Sequence, residues 1–239
     1  MELNESSVWV FIPTYNEAEN IRRLTEEIFA LRLPRLHVLV VDDQSPDGTG
    51  EAVRSLQQKY PSLHLLIRSG KKGRGLAGKD GYVRCLQSGA DVVLEMDADF
   101  SHPPKDIPHF LAHLGEADIL IGSRFVPGGQ ETGRSLWRRI LTRWANHYAR
   151  WMLRLSVRDC NSGFRCFRKE ALEKIDARSL ESQGPSIIHE VLDRAGRKGL
   201  RMAEIPITFT ERKRGRSKLN LWRLFKGYLW ILKLRWNNH

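Results

Sequence analysis

The 239-residue chain is predicted to be an α/β protein with a mostly parallel central sheet and flanking helices, on three observations. Short apolar runs alternate with stretches of helical periodicity along roughly its first half, the pattern of a parallel sheet with right-handed crossovers. Two of those runs stop at acidic clusters, Asp42-Asp43 and Asp97-Ala98-Asp99. Open α/β sheets collect ligands at the carboxyl ends of their strands, so acidic pairs there point to a site. The length suits one such domain with a modest excess for appendages.

Val8 to Ile12 reads as a buried first strand, and Pro13-Thr14-Tyr15-Asn16-Glu17 as the loop into a helix over about 18–31. Leu36 to Val41 is a second strand, closed by Asp42-Asp43-Gln44-Ser45-Pro46-Asp47-Gly48-Thr49. A helix to about Tyr60, a strand at Leu63 to Ile67, a Gly-rich loop and another helix lead to a strand at Val92 to Met96. A fifth strand, Asp118 to Ile121, runs into Gly122-Ser123-Arg124. After Gly128-Gly129 the alternation stops; a strand at Ser162 to Phe167, a helix at about 185–197 and a last strand at Leu200 to Phe209 follow. No internal repeat or low-complexity tract is present.

The net charge of +11 is concentrated. Residues 134–158 carry seven Arg and residues 212–239 carry nine Lys or Arg, with no Asp or Glu in either segment. Without those 16, 23 basic residues face 28 acidic ones, so the body is mildly acidic. The same segments hold six of the seven Trp. Basic charge interleaved with Trp suits an anionic lipid surface and also single-stranded nucleic acid, on whose bases aromatic rings stack. Three cysteines, Cys85, Cys160 and Cys166, form neither a metal spacing nor an even disulfide framework, and read as structural. The polar, acidic start Met1-Glu2-Leu3-Asn4-Glu5 is unlike a secretory signal, so a cytoplasmic location is expected.

On a helical wheel Trp137, Ile140, Leu141, Trp144, Tyr148, Trp151, Met152 and Leu155 share one face, with Arg139, Arg143, Arg150 and Arg154 on the other. An amphipathic helix over about 134–156, lying in a lipid interface with Arg stems reaching the headgroups, is expected. The alternative is a helix packed on the core with a solvated Arg face. Residues 219–239 are apolar on most sides with cations scattered through them, and each buried cation costs at least about 2.5 to 3.5 kcal/mol. That segment is expected to lie on a membrane, or against a membrane partner, rather than span.

Asp97 and Asp99 are carboxylates able to hold a hard divalent cation and leave positions open for phosphates. Asp42 and Asp43, ending a second strand, suit hydrogen bonds from a ribose or base. Gly70-Lys71-Lys72-Gly73-Arg74-Gly75 is no Walker sequence; it either offers backbone N–H groups to phosphate or is a plain basic loop. His109 and His113, spaced i, i+4 without a third ligand, read as a solvated face. His102 is a candidate to orient the acidic pair. Glu190 is either an acceptor-facing carboxylate or half of a surface salt bridge.

Pro13-Thr14-Tyr15-Asn16-Glu17, Asp42-Asp43-x-Ser45-Pro46-Asp47-Gly48-Thr49, Asp97-Ala98-Asp99-x-Ser101-His102-Pro103 and Gly122-Ser123-Arg124-Phe125-Val126-x-Gly128-Gly129 stand in order. Ser162-Gly163-Phe164-Arg165-Cys166, Glu204-Ile205-Pro206-Ile207, then Arg212 and Gly215-x-Ser217-Lys218, complete the series. With these motifs the chain resembles the family 2 glycosyltransferases of GT-A fold, in particular the dolichol-phosphate or polyprenol-phosphate mannose synthases, over about residues 8–220.

The resemblance implies a GT-A catalytic domain over residues 1–218 that inverts the anomeric carbon while passing mannose from GDP-mannose to a polyprenyl monophosphate. Pro13, Tyr15, Glu17, Val41 and Asp43 would surround the nucleotide. Asp97, Ala98 and Asp99 would hold Mg²⁺ or Mn²⁺ and the diphosphate, with the two carboxylates as metal ligands. Arg124, Arg212 and Lys218 would bind phosphates of donor and acceptor. The chain departs from the family's Gly-Leu-Gly and Ala-Tyr at Arg74 and Gly78, which bears on donor choice. A UDP-sugar or GDP-glucose donor is the alternative within enzymes, and a nucleic-acid binder the competing class, disfavoured for want of a binding motif. A non-catalytic subunit is disfavoured because both motif carboxylates are present. The enzyme is expected on the cytoplasmic face of a membrane, with a small anchoring subunit as a candidate partner.

Overall fold

The structure is a computed structural model that describes residues 5–211, 230–232 and 236. In chain order its elements are β1 (Val8–Thr14), α1 (Ala18–Ala30), β2 (Leu36–Asp42), α2 (Thr49–Gln57), β3 (Leu63–Ile67), α3 (Arg74–Gln87) and β4 (Val92–Glu95). Then come α4 (Ile107–His113), β5 (Ile119–Ser123), β6 (Gln130–Thr132), α5 (Leu136–Leu153), β7 (Arg165–Arg168), α6 (Lys169–Ile175), α7 (Ile187–Arg197), β8 (Met202–Pro206) and β9 (Thr208–Thr210).

Seven strands form the main sheet in the order β3-β2-β1-β4-β7-β5-β8. All neighbours run parallel except β7, which is antiparallel to both β4 and β5. Every residue of β1 is buried, as a central strand covered on both faces must be. On one face α1, α2 and α4 pack through Ile21, Leu24, Val53 and Phe110 onto Val10, Ile12 and Val40. On the other, α3, α6, α7 and the end of α5 pack through Tyr82, Leu172, Val191 and Leu153 onto Phe11, Leu39 and Phe167. Ile231 is buried in this second layer.

The expected last strand, Leu200 to Phe209, is two strands in different sheets. β8 pairs with β5, whereas β9 pairs with β6 in a separate two-stranded ribbon. The Ile207 N–H still reaches back to the Ser123 carbonyl at 3.1 Å before the chain leaves the main sheet. The strand expected from Ser162 starts only at Arg165, and the helix expected to Tyr60 ends at Gln57. All three cysteines are buried free thiols.

Helix α5 divides its predicted apolar face. Trp137, Trp144 and Trp151 stand 71%, 70% and 71% exposed, so the indole stripe points away from the core. Tyr148 and Met152 are half-buried against the second layer, and Leu155 lies beyond the helix, which Arg154 ends in a left-handed conformation. The surface of α5 on the core is instead Asn146, Ala149 and Leu153. No helix among the described residues is long and apolar enough to cross a membrane.

Candidate active site

The sheet order places β2, β1 and β4 side by side, so the loops after them form one continuous edge. Tyr15 and Glu17 follow β1, Asp43 follows β2, and Asp97 with Asp99 follows β4. Strand order reverses between β1 and β4, where the crevice of such a sheet opens. Pro13, Val41 and Ala98 are buried apolar residues of the same edge.

Asp47 ties two of these loops together. Its carboxylate accepts the Ala18 N–H at 3.0 Å, opening α1, and the Thr49 N–H and hydroxyl at 3.0 and 2.6 Å, opening α2. Burial opposes its charge, but the Thr49 and backbone hydrogen bonds win and hold its pKa below the ordinary value. Glu17 accepts from Asn20 Nδ2 at 2.8 Å. Tyr15 is half exposed, with Lys72 Nζ 4.6 Å over its ring.

Asp42 and Asp43 differ in use. Asp42 is internal, receiving the Ser45 N–H at 3.1 Å and the Thr14 hydroxyl at 3.3 Å. Asp43 is bound by the buried Arg68 guanidinium and accepts the Gly73 N–H at 2.6 Å. Gly75 donates to the Gln183 carbonyl at 3.0 Å, and a Cβ on Gly75 would lie 2.1 Å from the Ser182 carbonyl oxygen. Two N–H groups of the Gly-rich loop are therefore spent on protein partners, and Gly73 and Gly75 serve close packing on residues 182–184.

That neighbouring loop explains Glu190. Its carboxylate is buried, accepts the Glu181 and Ser182 N–H groups at 3.0 and 2.8 Å, and pairs with Arg194 at 2.8 Å. It is neither acceptor-facing nor a surface salt bridge; it holds the strap against which the Gly-rich loop packs.

Asp97 is 37% exposed and its Oδ1 lies 3.3 Å from Arg74 Nη2. Arg74 also pairs with Glu95 at 2.7 Å. Behind it Arg165, fully buried, donates to Glu95 at 2.5 Å and to the Tyr82 hydroxyl at 2.8 Å, and Tyr82 also donates to Glu95. Burial raises the pKa of Glu95, but Arg165 and then Arg74 more than offset it and hold it low. This cluster was missed in the sequence. Its one signal is the glutamate inside the apolar run Val92-Val93-Leu94-Glu95-Met96, since a buried strand carries a charge only where partners await it.

Arg74 and Gly78 are adjacent in space. A Cβ on Gly78 would sit 3.3 Å from Arg74 Nη1, so the guanidinium lies over the space a larger residue at 78 would need.

Asp99 accepts the Ser101 N–H at 3.1 Å. His102 is buried, stacked on Phe164 with ring centroids 5.1 Å apart, and its Nε2 is 4.0 Å from Asp97 Oδ2. That is beyond hydrogen-bond reach, so the ring packs beside the acidic pair without orienting it. Burial lowers its pKa against the pull of Asp97 and Asp99. His109 and His113 face each other edge-on on α4, with no third ligand among the described residues.

Arg124 is buried and held by Asp159 through Nε at 2.7 Å and Nη2 at 2.8 Å, and by Glu131 through Nη1 at 3.3 Å. A guanidinium has five N–H bonds, so two remain. Neither Asp159 nor Glu131 was singled out in the sequence, because their partner is 35 and 7 residues away in the chain. Arg212 and Lys218 lie outside the described residues.

Two carboxylates at one strand end fit a hard cation. Gly163 makes room for them: a Cβ there would lie 2.8 Å from Asp97 Oδ2. No group of three or more His, Cys, Asp or Glu gathers among the described residues, so remaining ligands would come from solvent and bound phosphates.

The profile of Glycosyl transferase family 2 matches residues 9–176. The chain is 42% identical over 215 residues to a polyprenol monophosphomannose synthase of Mycolicibacterium smegmatis, covering 88% of this chain and 80% of that one. It is 41% identical over 213 residues to an undecaprenyl-phosphate mannosyltransferase of Micrococcus luteus, covering 89% and 87%. Among solved structures, glucosyl-3-phosphoglycerate synthase from Mycobacterium tuberculosis, in complex with Mn²⁺, UDP and glucosyl-3-phosphoglycerate, superposes with a TM-score of 0.70 at 18% identity. That likeness covers 96% of this chain and 78% of the other. A mannosyltransferase from Pyrobaculum calidifontis in complex with GDP-Man and Mn²⁺ gives 0.61 at 21% identity, over 91% and 60%. Both likenesses establish a GT-A architecture.

Proposed function

The chain belongs to glycosyl transferase family 2 and is a glycosyltransferase, and from that premise we propose that it moves mannose from GDP-mannose to a polyprenyl monophosphate, with inversion. The observation that carries the proposal is the contiguous edge of Tyr15, Asp43, Asp97 and Asp99 on the neighbouring strands β1, β2 and β4. The printed activities of the two bacterial relatives support the sugar and the acceptor class. The GDP-Man complex of the Pyrobaculum protein supports the donor.

Asp43, fixed by Arg68 and the Gly73 N–H, is assigned to the nucleoside, with Tyr15 and Glu17 beside it and Pro13, Val41 and Ala98 lining the edge. Asp97 and Asp99 would hold Mg²⁺ or Mn²⁺, which supplies charge stabilisation for the departing diphosphate. An acceptor phosphate oxygen forms the new bond to the anomeric carbon as the bond to the nucleotide diphosphate breaks. A phosphate monoester has its second pKa near 6, so the attacking oxygen is already ionised at neutral pH and no general base is needed. His102, kept neutral by burial, is consistent with that economy. Arg124 keeps two N–H bonds for a phosphate, and Arg212 and Lys218 are assigned to the same task.

The exposed Trp stripe of α5 supports a location on a membrane surface, where the acceptor resides. We assign that surface to the cytoplasmic side, with residues 219–239 as a second contact and a small membrane subunit as a candidate partner.

Purified full-length protein offered radiolabelled GDP-mannose, GDP-glucose and UDP-glucose with polyprenyl phosphate tests the proposal. Label entering the chloroform phase from GDP-mannose alone, and only with Mg²⁺ or Mn²⁺, is expected. Transfer from another donor in preference, or transfer unaffected by chelator, would refute the donor or the cation assignment respectively.

A further inference from the structure

Outside the edge of acidic loops the molecule carries an open groove of about 410 Å³ between α5 and the 124–126 turn. Arg143, His147 and Arg150 of α5 line it together with Arg158 and with Arg124, the one lining residue also assigned above to a substrate phosphate, and no carboxylate does. We propose that this groove seats the phosphodiester headgroup of an anionic membrane lipid, apart from the acceptor phosphate. The inference rests on the membrane-surface location proposed above.

Charge accounting singles the groove out. Of the seven arginines in residues 134–158, Arg134, Arg138 and Arg139 are paired with Glu131 or Glu211, and the nearby Arg124 with Asp159. Arg143, Arg150 and Arg158, which line the groove, and Arg154, which does not, make no ion pair among the described residues. Arg150 Nε is buried without an acceptor among them. A buried donor left unmatched by protein is completed by an oxygen from outside, and a fork of guanidinium groups suits phosphate oxygens.

The walls are built. Asn146 donates from Nδ2 to the Arg158 carbonyl while its Oδ1 accepts the Cys160 N–H at 2.9 Å, fastening α5 to the 158–160 segment. Glu204 accepts the Arg158 and Asp159 N–H groups at 2.7 and 2.9 Å. The backbone that presents Arg158 is thus fixed from both sides.

Position relative to the indoles identifies the ligand's source. Arg143 and Arg150 each precede a stripe residue, Trp144 and Trp151, and successive helical residues differ by about 100° in direction. Both indoles stand about 70% exposed. Trp rings settle at headgroup depth, which puts the adjacent cations level with the lipid phosphates.

The test compares sedimentation of the full chain with phosphatidylcholine vesicles lacking or containing phosphatidylglycerol. The triple variant Arg143→Gln, Arg150→Gln, Arg158→Gln is expected to lose about tenfold or more of its affinity for the anionic vesicles, since one cation near an anionic surface contributes roughly fivefold. Its binding to neutral vesicles stays unchanged. A charge-matched control, Arg22→Gln, Arg32→Gln, Arg54→Gln, on the opposite layer of the fold, shifts affinity far less. Should the triple variant lose its native circular dichroism, Arg143→Gln with Arg158→Gln, both exposed positions, carries the same comparison.

Equal losses in groove and control variants would overturn the proposal, as would anionic-vesicle binding that persists while the half-saturating polyprenyl phosphate concentration rises. The latter would make the groove an acceptor site. A wild-type chain that sediments with neither vesicle defeats the membrane reading itself, and the groove assignment with it.

Discussion

Glu95→Gln is the substitution whose cost the structure fixes most directly. The wild-type carboxylate is wholly buried and sits between two guanidinium groups, Arg165 at 2.5 Å and Arg74 at 2.7 Å, with the Tyr82 hydroxyl as a third donor. With Asp97 included, the cluster's two positive and two negative charges cancel. The amide keeps shape and volume, so no cavity opens, but it leaves Arg165 fully buried without its counter-charge. Breaking a buried ion pair from one side costs about 3–5 kcal/mol. For a chain of this size that lowers Tm by about 10 °C, and against a typical total of about 5–15 kcal/mol the variant stays folded but marginal. Urea unfolding followed by circular dichroism measures the change. Adding Arg165→Met removes the orphaned cation and should recover most of the loss, because replacing both members of such a pair is nearly neutral. A Glu95→Gln protein within about 1 kcal/mol of wild type, or a double variant worse than the single, would show that the cluster is not the coupled unit described here.

Asp97→Asn should reduce Mn²⁺ affinity at least about tenfold by calorimetry and abolish transfer. Its stability should hardly change, since the side chain is over a third exposed; unaltered metal binding would remove Asp97 from the site. Gly163→Ala forces a methyl to within 2.8 Å of Asp97 Oδ2 and should weaken metal binding more than it lowers Tm, the reverse ratio being the refuting result. Burial, with Arg165 adding to it, pushes His189 from 6.5 down to about 4. Between those values the unfolded chain binds a proton that the folded chain refuses, so stability rises with pH across that window and falls as pH drops through it, by up to about 1.4 kcal/mol per pH unit. His189→Gln should flatten that part of the stability profile; an unchanged slope would place the histidine's titration elsewhere.

The parts of the molecule legible in the chain are those fixed by local pattern. β1, β2, β3 and β4 each begin within one residue of where their apolar runs predict, and the polar loops that end β1, β2 and β4 do line one edge. The Trp stripe was likewise readable from its seven-residue interval, and it faces outward. What eluded the sequence is non-local. Arg124 reads as a phosphate-binding cation, yet what it touches is Asp159, brought to it by the turn before β7. Glu190 reads as an acceptor-facing carboxylate or half of a surface salt bridge because nothing in α7 reveals that residues 181–182 fold back over it. The division of the last strand depends on β6, a three-residue strand too short to announce itself by alternation. His102, adjacent in sequence to the acidic motif, was drawn away by stacking on Phe164.

The antiparallel strand β7 lies between β4 and β5 although both precede it in the chain. A ribosome delivering this polypeptide therefore releases the two flanking strands long before the one that joins them. Until residues 165–168 emerge, Val92–Glu95 and Ile119–Ile121 present unpaired backbone to the surroundings, and Glu95 waits for Arg165. Such open edges are templates for the wrong partner. The joining of the two flanking strands and the neutralisation of Glu95 arrive with the same four residues, so truncations ending before β7 should aggregate, whereas those ending just after α6 should first acquire protease resistance.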